Sequence, residues 1–288
     1  MKSNTQSFET MKKGAFIFLW SVPCEGYHFD ENLTPVPGLE ELGGGLDAPW
    51  LVGPSDNEVL SRQYAPFQKP NLFRQFTTLS PHRKAITRFA NKCGLLGDPV
   101  PLIYPSRSGQ AVQLGESLQF WQQEIQEMAI LVNLWDLVRD EREKPLSKII
   151  LWQNHPRSVI FKGPKNRLRL IASDGLPSKV SCIQWKYKDV IGPAHYYLCD
   201  QISKRLKNHV SPSILPFLDG EIYMFPDSLL SAMYVMFALE VSGRIHPAIQ
   251  YRGCGIYFVP TYKHQAYHDG ACRKRAYYHR KKSGSLPL

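Results

Sequence analysis

The sequence contains no apolar run long enough to cross a lipid bilayer, which takes about 20 residues in a helix. The apolar stretch at residues 14–22 is followed by Pro-Cys-Glu at residues 23–25. Because no small-x-small cleavage site follows it, a buried strand is expected there rather than a signal peptide. The chain is therefore predicted to be cytoplasmic and to have no membrane partner.

Cysteine is present only at positions 24, 93, 182, 199, 254 and 272, and these positions lack the spacing of a disulfide framework. Reduced thiols, which are typical of cytosolic proteins, are expected instead. The sequence also has no internal repeat, no heptad run and no low-complexity tract. With 288 residues, of which 43% are hydrophobic, the chain can bury a substantial core.

The familiar catalytic motifs are missing as well: there is no P-loop, no G-x-G-x-x-G, no H-E-x-x-H and no G-x-S-x-G. Cys199 follows His195 by four residues, but a cysteine near a histidine is most often structural. Asp136, Asp140 and Glu143 share one helix side with two arginines and are expected to form a solvated face. An enzymatic function stays open, but the sequence favours a non-enzymatic one.

Positive charge is concentrated at one end of the chain. Residues 244–288 hold nine Lys or Arg and one acid, Asp269, which gives +8 of the total net charge of +10. The preceding 243 residues hold 26 basic and 24 acidic side chains, which gives +2. Clustered cations gain free energy by releasing counterions condensed on phosphates. The distribution predicts a polyanionic partner, and the alternative is a solvated tail that serves solubility.

Apolar periodicity predicts an α+β fold: a mainly helical body with a small antiparallel sheet, plus a C-terminal zinc-ribbon-like module. The predicted domains are a flexible leader at 1–13, a mixed body at 14–243 and a basic tail at 244–288. Helices are predicted from an N-cap at Ser80-Pro81 to Gly94, and at 116–143, 194–209 and 228–241, the last central in the core. Short strands are predicted at 158–162, 167–172 and 180–187, and irregular structure at 35–70.

The tail contains residue types that bind zinc. His268 and Cys272 are four residues apart, so a turn entering a helix could bring both to one tetrahedral ion, and Cys254 is a third candidate ligand. Tyr251 stands where the remaining cysteine of a C-x-x-C knuckle would be. The fourth ligand would then be a nearby histidine or water. The alternative is a module of the same shape held by aromatic packing without metal.

These residues resemble the C-terminal zinc-ribbon-like segment of a group of bacterial proteins without an assigned activity, related in style to the CGNR-type zinc fingers. The family pattern is C-x-x-C-G-x-x-F, a short loop, then aromatic-C-x-x-x-C-R-x-R-A-Y-x-x-R. Matches occur at Cys254, Gly255, Phe258, Tyr267, Cys272, Arg273, Arg275, Ala276, Tyr277 and Arg280. The chain departs from the pattern at Tyr251 and His268, where the family has cysteines.

The body carries a weaker part of the same resemblance, in residues 89–97, 115–125 and 226–230. The resemblance implies a tail that binds zinc and nucleic acid. It also implies a regulatory or defence-associated role in bacteria or phage.

A short basic helix is predicted after Cys272, with lysines and arginines interleaved with tyrosines. Such a surface suits phosphate contacts together with stacking on bases or sugars. The predicted nucleic-acid-binding residues are Arg252, Lys263, Arg273, Lys274, Arg275, Tyr277, Arg280, Lys281 and Lys282. The alternative function is a non-enzymatic interaction module that docks an acidic protein partner through the same helix.

Overall fold

The computed structural model of the protein describes residues 12–13, 16–38, 48–54, 60–69, 71–106, 109–175, 180–214, 222–243, 249–250, 257–258 and 270–282. Over these residues the chain is an α+β protein, as predicted, with seven α-helices and five β-sheets. The prediction of a mainly helical body with one small sheet was wrong, and the described residues show no zinc ribbon. It divides into two compact units. Unit 1 comprises Met1–Trp121 and Val210–Leu288, and unit 2 comprises Gln122–His209.

The helices are named in chain order. They are α1 (Leu72–Thr77), α2 (Arg83–Cys93), α3 (Leu118–Arg139), α4 (Glu143–Leu146), α5 (Ile191–Leu206), α6 (Leu229–Val241) and α7 (Gly270–Lys282). Short 3₁₀ helices occur at Pro66–Gln68, Pro164–Asn166 and Cys182–Gln184. Within the described residues, no helix is both long and apolar enough to cross a membrane.

The strands are short. They are β1 (Lys12–Lys13), β2 (Phe16–Ile17), β3 (Trp20–Pro23), β4 (His28–Asp30), β5 (Thr34–Pro35), β6 (Trp50–Val52), β7 (Ser61–Tyr64), β8 (Val100–Ser106), β9 (Gly109–Ser117), β10 (Ile150–Asn154), β11 (Arg157–Lys162), β12 (Leu168–Ser173), β13 (Val210–Ile214), β14 (Ile222–Pro226), β15 (Ile249–Gln250) and β16 (Tyr257–Phe258).

Unit 1 holds four of the five sheets. A five-stranded antiparallel sheet has the order β4-β6-β9-β8-β5, and a four-stranded sheet has the order β1-β2-β14-β13. In the latter, β14 runs parallel to β2, with Met224 opposite Phe16. The remaining pairs are β3 with β7 and β15 with β16, both antiparallel.

Unit 2 is a smaller α+β assembly. Its three strands form an antiparallel meander in the order β10-β11-β12. Helix α5 packs on this sheet, where the rings of Phe161 and Tyr197 stack with centroids 4.4 Å apart. Arg169 on β12 donates hydrogen bonds to the Tyr197 hydroxyl at 3.0 Å and to the Glu127 carboxylate at 3.1 Å. The predicted sheet in the middle of the chain is therefore present, with β10 as an additional strand.

Three predicted helix starts are displaced in the structure, and one of them is that of α5, which begins at Ile191 rather than at residue 194. Helix α2 begins at Arg83, and its N-cap is His82 rather than Ser80. Helix α3 begins at Leu118 because Glu116 and Ser117 belong to β9, and the Ser117 hydroxyl oxygen accepts the Phe120 N–H at 3.0 Å. In contrast, the start of α6 agrees with the prediction.

Helix α6 is central in unit 1, as its all-round apolar sequence predicted. Ser228 and Ser231 form a reciprocal capping box at its start. Its side chains are buried on nearly every side, and the Phe237 ring stacks on Phe73 of α1 at 5.2 Å between centroids. Arg74 of α1 and Glu240 of α6 form a buried ion pair in the same region, with Arg74 Nε 3.2 Å from Glu240 Oε2.

Two strand predictions and one prediction of irregular structure were wrong in whole or in part. Residues 180–187 form the 3₁₀ helix Cys182–Gln184 and turns, because the Asp174 carboxylate accepts the Cys182 N–H at 2.7 Å and bends the chain. The stretch predicted to be irregular, 35–70, contains the buried strand β6 as well as β7. The apolar stretch at 14–22 gives strands of two different sheets, β2 and β3.

The predicted domain boundaries stay predictions. Lys12–Lys13, at the end of the predicted leader, pair with β2, and residues 1–11 lie outside the described part of the chain. The same holds for residues 244–248, where the predicted tail begins.

A single carboxyl group organises the junction of unit 1, which is the place where the end of β9 meets the loop at residues 94–98. Glu116, at the end of β9, is fully buried and faces the loop at residues 94–98, which follows α2. Its Oε1 accepts the N–H groups of Gly97 at 2.6 Å and Asp98 at 3.1 Å, and its Oε2 accepts the Leu96 N–H at 2.9 Å. The five-stranded sheet is thus tied to the chain segment leaving α2.

The 94–98 loop also contacts β3 and α6. The indole of Trp20 on β3 donates to the Leu95 carbonyl at 3.1 Å. The Leu230 N–H in the first turn of α6 donates to the Leu96 carbonyl at 2.9 Å. Gly97 has φ +113° and lies so close to Ser228 that a Cβ at this position would overlap the serine Cβ. Glycine is therefore required at position 97 both for its backbone conformation and for space.

Replacing Gly97 by alanine should lower the free energy of unfolding by about 2 to 4 kcal/mol, from left-handed backbone strain and overpacking together. Gly38→Ala is the matched control, because Gly38 has φ +83° but no atom of the described residues within 4 Å of its missing Cβ. The control should lose only about 1 kcal/mol. Urea unfolding followed by circular dichroism measures both, and equal losses would show that the contact with Ser228 is unimportant.

Burial raises the pKa of Glu116 from 4.5 to about 7, although the three N–H groups favour the ionised form. Between pH 4.5 and about pH 7 the folded protein holds a proton on Glu116 that the unfolded chain releases. The contribution of Glu116 to stability is therefore largest at low pH and declines as the pH rises. Glu116→Gln does not titrate and turns an NH₂ donor towards the loop donors. Its destabilisation, about 2 kcal/mol near pH 5, should shrink by up to about 1.4 kcal/mol per pH unit towards pH 7.

Urea titrations of the wild type and Glu116→Gln at several pH values measure this difference. Glu25→Gln, at an exposed position of the same unit, should leave the stability unchanged at each pH. A destabilisation by Glu116→Gln that grows with pH would contradict the assignment of a raised pKa.

Candidate nucleic-acid interface

Helix α7 is the longest described element of the basic tail. It confirms the helix predicted after Cys272. It runs from Gly270 to Lys282 and contains six lysines or arginines and no acid. The Cys272 side chain in its first turn is buried, with 2% of its surface exposed. The side of the helix that carries Cys272 therefore faces the protein.

The basic side chains next to Cys272 lie in solvent. Arg273, Lys274 and Arg275 are all exposed. Successive helix residues are about 100° apart, so these three cover the arc that turns away from Cys272. Uncompensated cations on an exposed helix arc are positioned to contact the phosphates of a polyanion.

Two tyrosines lie on the same exposed surface. Tyr277 and Tyr278 are 51% and 57% exposed, and their ring centroids are 5.8 Å apart in an edge-on arrangement. An exposed ring keeps a flat apolar face available to a base or a sugar. The predicted combination of exposed charge and exposed rings is thus present on α7.

The other predicted interface and metal residues are placed only in part. The backbone of Arg280, Lys281 and Lys282 continues α7, and their side chains lie outside the described residues. Arg252, Cys254, Lys263 and His268 also lie outside them. Their predicted roles stay predictions.

Strands β15 and β16 lie on either side of the segment that carries Cys254. Ile249 pairs with Phe258 and Gln250 with Tyr257, so residues 251–256 connect two antiparallel strands. The connecting residues themselves are not among those that the structure describes.

Of the three predicted zinc ligands, only Cys272 has a described side chain. Its burial at the start of a helix suits a thiolate ligand and suits a packed thiol equally. Elsewhere in the described ranges, no group of three or more His, Cys, Asp or Glu side chains is placed to hold a metal ion.

The surroundings of Cys199, which follows His195 on one helix, do not favour a nucleophilic thiolate. On α5 the Cys199 Sγ and the His195 Nε2 are 3.8 Å apart. Burial raises the pKa of Cys199, so the thiol is kept protonated. A nucleophilic cysteine needs the opposite shift. The pair is therefore a structural contact of the helix.

The three carboxylates predicted to share one helix side lie on different elements: Asp136 is on α3, Asp140 follows the end of that helix, and Glu143 begins α4. Arg139 lies 3.1 Å from Asp136 and 2.9 Å from Asp140, and all three side chains are partly exposed. A cavity of about 340 Å³ elsewhere in unit 2 is lined by apolar side chains with Asn133, Lys148 and Lys162. No acid, histidine or cysteine belongs to that described lining.

Unit 2 carries a second group of aromatic and basic residues, which was not predicted. Residues 185–188 read Trp-Lys-Tyr-Lys, and the last three side chains are exposed. The alternation itself was the available signal, and the wrong strand prediction for 180–187 hid it.

The basic surface of α7 is the strongest candidate site in the described structure. It unites the concentration of positive charge, the exposure of three cations and the presence of two exposed rings. No protein-family model, no curated protein and no solved structure matches the chain.

Proposed function

We propose that the chain is a nucleic-acid-binding protein with a regulatory or defence-associated role, and that α7 is its main contact with nucleic acid. One observation carries this proposal. Helix α7 buries Cys272 while it exposes Arg273, Lys274 and Arg275 together with two tyrosine rings.

Electrostatics favours a polyanion as the partner. Six cations on one short helix without an acid repel one another, and a nearby row of phosphates relieves that repulsion while releasing counterions. Tyrosine rings next to the cations add stacking energy, which a purely solubilising helix does not need.

The resemblance to CGNR-type proteins supports the same function. The three body segments that carry it meet at the junction of unit 1, where Glu116 accepts hydrogen bonds from the 94–98 loop and Leu230 donates to Leu96. In this interpretation the body segments of the family pattern serve packing, and its tail serves binding.

An acidic protein partner is the second candidate, because exposed lysines and arginines would also pair with carboxylates. The exposed Tyr277 and Tyr278 favour nucleic acid over this alternative, since flat bases can stack on both ring faces. An acidic polypeptide offers carboxylates but few such planes.

Neutralising the helix tests the proposal. Replacing Arg273, Lys274, Arg275, Arg280, Lys281 and Lys282 by glutamine should weaken binding to non-specific DNA or RNA about 100-fold or more at low salt. The fold should survive, because the first three side chains are exposed. A gel-shift titration measures the affinity, and circular dichroism checks the helix content.

The matched control removes six exposed cations from the body, namely Lys84, Arg88, Lys92, Lys144, Arg167 and Lys207. It lowers the net charge by the same amount and should retain most of the affinity. If the two variants bind equally well, net charge rather than α7 is responsible. If poly-glutamate binds as tightly as DNA and displaces it, the acidic-partner alternative is favoured.

Zinc binding by Cys254, His268 and Cys272 is a separate part of the proposal, with a histidine or water as the fourth ligand. Structural zinc contributes directly to folding, so chelation should unfold the tail and spare the larger core. If the module holds zinc, metal analysis of protein purified without added zinc finds about one equivalent, and Cys272→Ser loses it. A zinc content near zero with an intact α7 would show that this module packs without metal.

A further inference from the structure

Unit 2 carries a surface on which aromatic and basic side chains alternate. Residues 185–188 lie between the 3₁₀ helix Cys182–Gln184 and α5, and the β10–β11 hairpin adds a tryptophan and an arginine. The aromatic–basic patch is defined by six residues: Trp152, Arg157, Trp185, Lys186, Tyr187 and Lys188.

The patch is one connected group of side chains. The rings of Trp152 and Tyr187 meet edge to face with centroids 5.5 Å apart. The Arg157 guanidinium lies 5.1 Å from the centre of the Trp152 ring and donates to the Trp185 carbonyl at 3.0 Å. The two chain segments are therefore joined through Trp152 and Arg157.

The tryptophan that supports the patch is held in a fixed orientation. The Trp152 indole N–H donates to the Asp189 carbonyl at 2.6 Å, and the residue is half-buried. A ring that is already ordered loses little conformational entropy when a ligand stacks against it or against its neighbour.

The outer part of the patch is open to solvent. Tyr187 is 43% exposed, and the lysines on either side of it, Lys186 and Lys188, are exposed as well. The Lys188 Nζ is 5.6 Å from the centre of the Tyr187 ring. A flat ring with a cation beside it provides a stacking face and a phosphate contact within one nucleotide's reach.

Two carboxylates lie near the patch, and the fold uses both. Asp189 accepts the N–H groups of Ile191 at 2.9 Å and Gly192 at 3.2 Å. Asp174 accepts the Ser181 hydroxyl and the Cys182 N–H, each at 2.7 Å. Both therefore have backbone donors as partners, and the patch's own three cations outnumber them.

We infer that the aromatic–basic patch stacks unpaired bases, so that the nucleic acid bound by this chain is single-stranded. The inference rests on the proposed function and specifies its substrate class. In a duplex the base faces are covered by their neighbours, so an exposed tyrosine ring can reach only grooves and phosphates. In a single strand every base offers a free face.

The test compares a fluorescent oligo-dT of about 20 nucleotides with a duplex of the same length, both titrated with the full chain. Tyr187→Ala should weaken oligo-dT binding about 5- to 10-fold, which corresponds to the stacking of one base. It should leave duplex binding unchanged. Tyr187→Phe keeps the ring and should bind oligo-dT as tightly as the unmodified chain.

Leu168→Ala is the control, because Leu168 is an exposed apolar residue of the same unit at 60% exposure. It should not alter the affinity for oligo-dT. Circular dichroism should show the same helix content for all variants. Poly-glutamate serves as a polyanion without bases, and Tyr187→Ala should leave its binding unchanged.

The outcomes separate this inference from the proposed function. If Tyr187→Ala binds oligo-dT as tightly as the unmodified chain, while the six-glutamine variant of α7 loses binding, only the stacking inference is overturned. Equal weakening towards oligo-dT, duplex and poly-glutamate would show a general cationic surface and overturn it too. If the unmodified chain binds neither oligonucleotide, the proposed function itself fails.

Discussion

Three backbone N–H groups of the 94–98 loop point at the buried carboxyl of Glu116, and the arrangement of unit 1 depends on this contact. A loop that leaves a helix has backbone donors without partners, and burying them without acceptors would cost about 1 to 3 kcal/mol each. Glu116 supplies acceptors from the neighbouring sheet. The loop can then approach Ser228 so closely that only glycine fits at position 97.

The contact carries a cost that links the fold to pH. Burial raises the pKa of Glu116 to about 7, so the folded state holds a proton that the unfolded chain would release in mildly acidic solution. The aromatic cluster of Phe76, Phe89 and Trp121, with centroids 5.5 to 6.1 Å apart, packs around the same junction. Among the described residues of unit 1, no group of three or more His, Cys, Asp or Glu side chains is placed to hold a metal ion.

The two surfaces proposed to bind nucleic acid lie outside this core. Helix α7 exposes cations and tyrosines, and the aromatic–basic patch of unit 2 exposes a tyrosine between two lysines. The two surfaces combine phosphate contact with stacking, and neither includes the buried ion pair of Arg74 and Glu240. Changes at these surfaces should therefore alter binding with little effect on stability.

Local patterns in the sequence predicted the helices well. The all-round apolar run of α6 predicted its central position, and the basic run after Cys272 predicted α7. Long-range contacts could not be predicted: nothing near Glu116 indicates partners about twenty residues earlier, and its neighbour Leu118 made it look like a helix start. Strands of two or three residues, such as β2 with its parallel partner β14, gain their identity from distant pairing.

The same limit applies to the candidate site. The charge and spacing of α7 residues follow from a helical repeat, so its exposed face was predictable. The aromatic–basic patch was missed because it depends on a hairpin thirty residues away, where Trp152 meets Tyr187. The knuckle around Cys254 rests on the resemblance and the spacing, and its residues lie outside the described part of the chain.

The salt dependence of DNA binding by the unmodified chain tests the central claim most directly. If the six cations of α7 each contact a phosphate, a plot of log K against log salt concentration should have a slope of about −5 for duplex DNA and about −4 for single-stranded DNA. A slope near zero, or no measurable binding at low salt, would contradict an electrostatic nucleic-acid interface on this helix.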